Sequence, residues 1–136
     1  MSVADVDGDG FADVAVGAPG EDVDGEQRAG AVWLLRGSRD GVTGTGSQSF
    51  DQNTRGIPGA AEAGDGWGAQ VRLVDTDGDG RAELVAAAPD ANAGDGALWL
   101  LPASGDGLLA DGSRSYGAAA LGGSGHGAHF GAVIDE

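Results

Sequence analysis

Short apolar runs separated by glycine-rich polar segments make up most of the chain. ELVAAA at 83–88 and ALWLL at 97–101 are five or six residues long, and each is followed by a proline. WGAQVRLV at 67–74 alternates large and small side chains, as a strand does. Apolar runs of this length, bounded by glycine and proline, predict β-strands rather than helices.

The same series of segments occurs twice, which predicts two structural repeats. Residues 5–13 match 75–83 at an offset of 70, and residues 32–35 match 98–101 at an offset of 66. The offset changes only within glycine-rich segments, as expected for loops. Strands are predicted at 2–4, 13–16, 31–36 and 48–51 in the first unit and at 67–74, 83–88, 97–101 and 113–117 in the second. We expect the Ser/Gly stretch 44–47 to form a turn, and the run 118–121 is too short to predict a helix.

Four strands per unit predict an all-β fold made of two four-stranded antiparallel blades of a partial β-propeller. The first blade is predicted at 1–66, with a shortened first strand, and the second at 67–129. Residues 130–136 are predicted to begin a third blade. Because repeat proteins usually need at least about three units, the expected partners include other blades, from a longer chain or by self-association.

Charge and composition narrow the classes of partner. The chain has 22 acids, 7 basic residues and a formal net charge of −15, which argues against nucleic acid and anionic lipid and favours cations. The absence of cysteine excludes disulfides and thiolate metal sites. No apolar run is long enough to predict a membrane span, and the first residues do not resemble a signal peptide.

Two acidic motifs, DVDGDGFAD and DTDGDGRAE, predict two calcium sites. Acids at positions 1, 3 and 5 of a tight loop converge, glycine at position 6 permits the reversal, and position 7 offers its carbonyl. An EF-hand would need a Glu at position 12, where this chain has Val16 and Ala86. The predicted ligands are Asp5, Asp7, Asp9, Phe11 (carbonyl) and Asp13, and Asp75, Asp77, Asp79, Arg81 (carbonyl) and Glu83.

Other candidate residues have weaker support. The acids at 22–26 form either a solvated loop or a further ion site. His126 and His129 form an H-x-x-H pair without an evident third zinc ligand. Trp33 and Trp99 occupy the same repeat position and are predicted to pack within the blades. No nucleophile stands beside a base, so we predict that the chain is not an enzyme.

The first unit, DVDGDGFADVAVGAPG followed by GAVWLLRGS, resembles the FG-GAP repeat of the integrin alpha-chain β-propeller and its bacterial relatives. Trp67-Gly68 and Phe130-Gly131 are similar to the Phe-Gly element of that family, and 17–19 matches its Gly-Ala-Pro. The second unit departs from the pattern, with Ala-Ala-Pro at 87–89 and Glu83 in place of the last Asp.

The resemblance implies a propeller of about seven blades, with Ca²⁺ loops on one face and a protein or glycan ligand on the opposite face. The implied ligand loops are 20–30, 52–66, 90–96 and 118–129. We expect a calcium-binding module at the cell surface or outside the cell that acts in binding or adhesion. The alternatives are an accessory repeat region of a larger secreted hydrolase and a truncated fragment without independent function.

Overall fold

The computed structural model describes residues 1–134 and contains two four-stranded antiparallel sheets and one small hairpin. The strands of blade 1 are β1 (Ser2–Ala4), β2 (Asp13–Ala18), β3 (Ala31–Arg36) and β4 (Thr43–Phe50), hydrogen-bonded in that order. The strands of blade 2 are β5 (Gln70–Val74), β6 (Glu83–Ala88), β7 (Ala97–Leu101) and β10 (Arg114–Gly117), again in chain order. Between β7 and β10 lies the hairpin of β8 (Ala103–Ser104) and β9 (Gly107–Leu108). Residues Ala91–Gly94, labelled α1, form one tight turn in which Asn92 and Ala93 have left-handed φ of 54° and 59°, and Ala118–Leu121 form a 3-10 turn.

The predicted all-β fold of antiparallel blades is confirmed, and it is that of a partial β-propeller. β1, β3, β6 and β7 have the predicted bounds. The prediction of a turn at 44–47 was wrong, because β4 begins at Thr43, which pairs with Arg36 beyond a register shift in β3. A mostly exposed outer strand tolerates its glycines because little packs against them.

Three further segments differ from the sequence-based expectations. β5 begins at Gln70 and not at residue 67, because Gly68 has φ +86° and forms a turn. Residues 118–121 form one 3-10 turn, and the β8–β9 hairpin was not predicted. The described part of the predicted third blade, 130–134, contains no strand, and residues 135 and 136 lie outside the described part of the chain. The third blade stays a prediction.

The core lies between the two blades. On blade 1, Ala15 and Leu34 are directly paired and fully buried, and they belong to one apolar cluster with Leu84 and Leu101 of blade 2. Opposed residues on paired antiparallel strands point to the same side of the sheet. One face of blade 1 therefore packs against one face of blade 2. Burying these apolar faces is the main favourable term that joins the blades.

A turn at Trp67-Gly68 docks blade 2 onto blade 1. Trp67 is fully buried, its backbone N–H donates to Ala29 O at 2.8 Å, and its ring meets that of Trp99 edge-on at 6.2 Å. A methyl group at Gly17 would lie 1.9 Å from Gly68 O. The glycine in β2 is therefore required because backbone from the second unit packs directly against it.

Candidate metal centres

Two acidic loops lie at the same end of the two blades. Residues 5–12, which we call loop 1, join β1 to β2, and residues 75–82, which we call loop 2, join β5 to β6. Asp13 and Glu83, the last acids of the two motifs, are the first residues of β2 and β6. Each predicted ligand set therefore belongs to one strand-to-strand turn.

The two loops have the same backbone fold, because the first aspartate of each accepts two backbone hydrogen bonds. Gly8 and Gly10 donate to the two carboxylate oxygens of Asp5 at 2.7 and 2.9 Å, and the equivalent bonds to Asp75 are 2.7 and 3.0 Å. The four donating glycines have φ between +79° and +91°. Side chains with a Cβ resist this left-handed backbone, so the glycines of the motif shape the loop.

In loop 2, all four predicted carboxylates come together. Asp75, Asp77, Asp79 and Glu83 each offer an oxygen, and these oxygens lie within 4.8 Å of one another. The three aspartates are exposed, whereas Glu83 is buried, with a hydrogen bond of 2.7 Å from the backbone N–H of Thr76 to its Oε2. The hydroxyl of Thr76 donates to the same oxygen. Loop 2 thus presents four carboxylates, one of them oriented by a neighbouring residue.

In loop 1, only three carboxylates come together: Asp5, Asp7 and Asp13 lie within the same 4.8 Å limit, and Asp9 is outside the cluster. Asp13 is fully buried, and both of its oxygens already accept backbone hydrogen bonds, from Val6 at 2.9 Å and from Gly37 at 2.8 Å. Asp13 therefore also ties β2 to the chain on both sides of it.

A built-in cation distinguishes loop 1 from loop 2. Nη1 of Arg36, at the end of β3, lies 2.6 Å from Oδ2 of Asp7, and the two side chains are only 17% and 15% exposed. The same guanidinium donates to the carbonyls of Gly46 and Asp106. Repeat position 102, equivalent to Arg36, is proline. Loop 2 has no arginine at this position; its own arginine, Arg81, makes a longer and more exposed pair with Asp79, at 3.3 Å.

The pKa values of two aspartates differ in direction between the loops. Burial raises the pKa of Asp7 above its usual 3.8; the hydrogen bond from Asp9 and the charge of Arg36 offset only part of this effect. The pKa of Asp75 lies below 3.8, first because Gly80 donates a backbone hydrogen bond to its charged form. Asp75 is thus the better prepared of the two to remain ionised.

A hydrogen-bonded bridge connects the two loops. Nε of Arg81 donates to the backbone O of Asp7 at 3.3 Å, and the backbone N–H of Ala82 donates to Asp5 O at 2.9 Å. Nη1 of Arg81 lies 3.3 Å from Asp79 Oδ2. Arg81 therefore contacts acidic residues or backbone of both loops.

The donor chemistry of loop 2 fits a hard divalent cation. Four carboxylates are close enough to repel one another unless protons or a cation compensate them, and Ca²⁺ binds such oxygens at about 2.3–2.6 Å. Loop 1 fits less well, because its carboxylates are fewer and because Arg36 pairs with Asp7 at 2.6 Å, more closely than Arg81 pairs with Asp79 in loop 2 at 3.3 Å. The carbonyls of Phe11 and Arg81 stay predicted ligands.

The other candidate residues form no third cluster in the described part of the chain. His126 and His129 lie near different acids, Asp95 at 3.8 Å and Asp90 at 3.4 Å. In the acidic segment 22–26, Asp22 accepts a hydrogen bond from the backbone N–H of Arg28 at 2.9 Å. These contacts place the histidines and the acids in ordinary loop interactions. Trp99 packs in the core, 4% exposed, as predicted, and Trp33 is half-buried.

Sequence reasoning missed Arg36 and Thr76, both of which act on the acidic loops. Arg36 is 29 positions from Asp7, and only the pairing of β2 with β3 brings them together. A signal for Arg36 existed, since its repeat equivalent is Pro102 and an unmatched charge beside a shared motif marks a difference between the units. Thr76 also breaks the match, standing where the first loop has Val6.

Two stacked four-stranded antiparallel blades, each with an acidic loop between its first and second strands, define the class: a module of β-propeller blades. The family model for the FG-GAP repeat matches residues 1–35 and 67–101, which together are just over half of the chain. The chain therefore belongs to the FG-GAP repeat family, whose repeats indicate an integrin-like β-propeller type of module.

A separate observation concerns membranes. Within the described residues, no helix has the length and apolar character needed to cross a bilayer.

Proposed function

We propose that this chain is a calcium-stabilised propeller module that acts outside the cell or at its surface in binding or adhesion, and that it is not an enzyme. The observation that carries the proposal is the cluster of Asp75, Asp77, Asp79 and Glu83 at one strand-to-strand turn of an FG-GAP blade. Extracellular calcium sites typically have dissociation constants of about 10⁻⁴–10⁻³ M, so the ambient calcium concentration would set their occupancy.

The role of the ion in this proposal is structural. Calcium at loop 2 would bind the carboxylates of β6 and of the preceding turn together and remove their mutual repulsion. Loop 1 would bind a second ion more weakly, because the guanidinium of Arg36 lies at Asp7. The metal thus stiffens one end of the module and leaves the other end for recognition.

The opposite end supplies the proposed ligand face. A cavity of about 260 Å³ is lined there by residues of loop 52–66, α1, β7 and β10, among them Gln52, Glu62 and Asp65. Oε1 of Gln52 is buried and has no hydrogen-bond partner among the described residues, and burial raises the pKa of Asp65 although Gln52 donates to it. Both observations favour a ligand that brings hydrogen-bond donors, such as the hydroxyls of a glycan or the N–H groups of a peptide.

Calorimetric titration with Ca²⁺ tests the metal part of the proposal. We expect two sites, the stronger of submillimolar to millimolar affinity. Asp77→Asn should remove the stronger site, and Asp40→Asn, a change of an exposed acid outside the loops, should leave it intact. Wild-type protein that shows no heat of binding and no thermal shift at about 10 mM Ca²⁺ would contradict it.

Binding to an array of glycans and extracellular peptides tests the ligand part. We expect a calcium-loaded hit that weakens at least tenfold in Glu62→Arg, because Glu62 is exposed at the cavity. Asp40→Asn is again the control. Equal binding by Glu62→Arg and wild type would remove the cavity from the proposal and leave the calcium sites unaffected.

A further inference from the structure

Each blade has a second apolar face that does not contact the other blade. In blade 1 this face, which we call outer face 1, consists of Val14, Val16, Trp33 and Leu35. Val14 is paired with Leu35 and Val16 with Trp33, so all four point to the side of the sheet away from Ala15 and Leu34. All four are half-buried in the isolated chain, and none carries a charge.

In blade 2 the corresponding surface, outer face 2, consists of Val85, Leu98, Leu100 and Tyr116. Val85 is paired with Leu100, and Leu98 with Tyr116, on the side of the sheet away from the core. These residues are half-buried as well. The chain therefore has two apolar faces of similar composition, one on the outer side of blade 1 and one on the outer side of blade 2.

The two outer faces occupy the same repeat positions as the two faces that pack together between the blades. Outer face 2 occupies the repeat positions of the blade 1 face that packs against blade 2, namely Ala15, Val32, Leu34 and Phe50. Outer face 1 occupies the positions of the blade 2 face that packs against blade 1, namely Leu84, Ala86, Trp99 and Leu101. The contact between the two blades is thus a template for a contact between the two outer faces.

The docking turn of that template is present on outer face 2. Trp67 N–H donates to Ala29 O at 2.8 Å at the junction of the blades, and Phe130 N–H donates to Asp95 O at 3.0 Å. Phe130 and Asp95 are the repeat equivalents of Trp67 and Ala29. Gly131 lies so close to β6 that an added methyl group would be 2.7 Å from the Cβ of Ala87. Phe130-Gly131 therefore sits on blade 2 as Trp67-Gly68 sits on blade 1.

The two equivalent tryptophans, Trp99 and Trp33, differ in whether a docking turn packs against them within one copy. Trp99 packs against Trp67 and is 4% exposed, whereas Trp33, at the same repeat position, is half-buried on outer face 1. In the repeat, the partner of Trp33 would be a docking turn of the kind that Phe130 supplies. Phe130 and Trp33 lie on opposite outer faces, so one copy does not bring them together.

We propose that the occupant of these faces is a second copy of this chain, bound head to tail, with outer face 1 of one copy on outer face 2 of the next. Trp33 then packs against the partner's Phe130, as Trp99 packs against Trp67 within the chain. Because the contact is heterologous, it closes only as a ring. Propellers of roughly 4–8 blades correspond to about two to four copies. The proposal rests on the blade contact alone and not on calcium.

Multi-angle light scattering of the full chain after size exclusion tests the proposal, in about 0.15 M and 1 M salt so that repulsion between the acidic copies can be separated from lack of complementarity. We expect a discrete mass of two to four chains. A monomer at every concentration up to about 1 mM in both salts would overturn the proposal, and so would open-ended growth without a discrete mass.

A pair of charge variants tests the head-to-tail geometry. Val16→Asp disables outer face 1 and Leu98→Asp disables outer face 2, because a charge buried in an apolar contact is strongly unfavourable. We expect each variant alone to be monomeric, with association weakened at least 100-fold. Mixed together they should form a one-to-one dimer, because one intact pair of faces remains. Failure of the mixture to dimerise while each variant is folded would overturn the head-to-tail contact.

Controls keep the test interpretable. Val42→Asp changes an exposed valine in the β3–β4 connection, away from both outer faces, and should leave the mass of the wild type unchanged. Circular dichroism and thermal melting establish that each variant is folded. If Val16→Asp does not fold, Leu35→Lys disables the same face, and the mixture with Leu98→Asp must again give a dimer for the proposal to stand.

Discussion

Loop 1 and loop 2 have nearly the same backbone and different electrostatic surroundings. Their first aspartates accept the same pair of backbone hydrogen bonds, with distances that agree within 0.1 Å. Loop 1, however, brings together three carboxylates beside Arg36, and loop 2 brings together four with no arginine at the equivalent position. A shared motif therefore fixes the shape of the loop, whereas the arginines that differ between the units, Arg36 beside loop 1 and Arg81 within loop 2, give the two loops different electrostatic surroundings.

This difference shows that a match to the motif does not by itself predict which of two sites has the higher calcium affinity. Arg36 comes from the neighbouring strand and contributes a charge that the nine-residue motif does not contain. A guanidinium bound to a carboxylate competes with a cation for the same oxygen. We therefore expect loop 2 to be the stronger calcium site.

The largest expected effect separates the two loops by their contribution to thermal stability. At about 100 times the dissociation constant, an ion stabilises the folded state by about 2.7 kcal/mol, or roughly 10 °C here. Asp77→Asn should abolish most of the calcium-induced rise in melting temperature, and the matched change Asp7→Asn should remove less of it. Differential scanning calorimetry with and without calcium measures both. A greater loss in Asp7→Asn would reverse our ranking of the loops.

The next effect comes from removing the cation of loop 1. Without calcium, Arg36→Met should lower the free energy of unfolding by about 1–3 kcal/mol, because it leaves the part-buried carboxylate of Asp7 without its charged donor. With calcium, the affinity of loop 1 should rise about tenfold as Asp7 becomes available. Urea unfolding and calorimetric titration provide the two readouts. Arg39→Met, at an exposed arginine, is the control; unchanged affinity in Arg36→Met would contradict the competition.

The reciprocal change would make loop 2 resemble loop 1. Pro102 lines a surface cavity of about 340 Å³ together with Asp77, Glu83 and Arg114, so an arginine at this position would add a second guanidinium to the cavity that Asp77 lines. Pro102→Arg should weaken calcium binding at loop 2 about tenfold. Pro102→Met controls for loss of the proline ring. Equal affinities for Pro102→Arg and Pro102→Met would show that charge does not set the difference.

The smallest effect is in the acid titration of the calcium-free protein. The folded-state pKa of Asp7 lies above 3.8, so its ionisation lowers stability as the pH rises from 3.8 through that value. The folded-state pKa of Asp75 lies below 3.8, so its contribution is present above pH 3.8 and is lost as the pH falls through the lower value. Carboxyl carbon shifts in NMR spectra should place the midpoint of Asp7 above that of Asp75. The opposite order would contradict the assigned surroundings.

Much of the fold could be predicted from the sequence, because its dominant signals are local. β6 and β7 are apolar runs ended by proline, and their bounds were predicted correctly. The errors lie where non-local contacts decide. Thr43 is in a strand because it pairs with Arg36, and residues 67–69 form a turn because backbone packs on Gly17. No local pattern reports either contact.

The candidate sites divide in the same way. The spacing of the acids predicts which residues share a loop, since alternate positions of a tight turn must converge. The spacing does not predict that Asp9 lies outside its cluster, or that both carboxylate oxygens of Asp13 accept hydrogen bonds from backbone N–H groups. The bond from Gly37 in particular comes from a residue that follows β3 and lies outside the nine-residue motif.

The bridge formed by Arg81 has a consequence for how the acidic end responds to ions. Its guanidinium donates to the carbonyl of Asp7 and contacts Asp79, so the two loops share one side chain. If calcium in one loop changes the calcium affinity of the other loop, thermodynamic linkage requires that the second ion changes the affinity of the first loop by the same factor. As the calcium concentration rises, the occupancies of the two loops would then depend on each other, and the two sites would not fill independently.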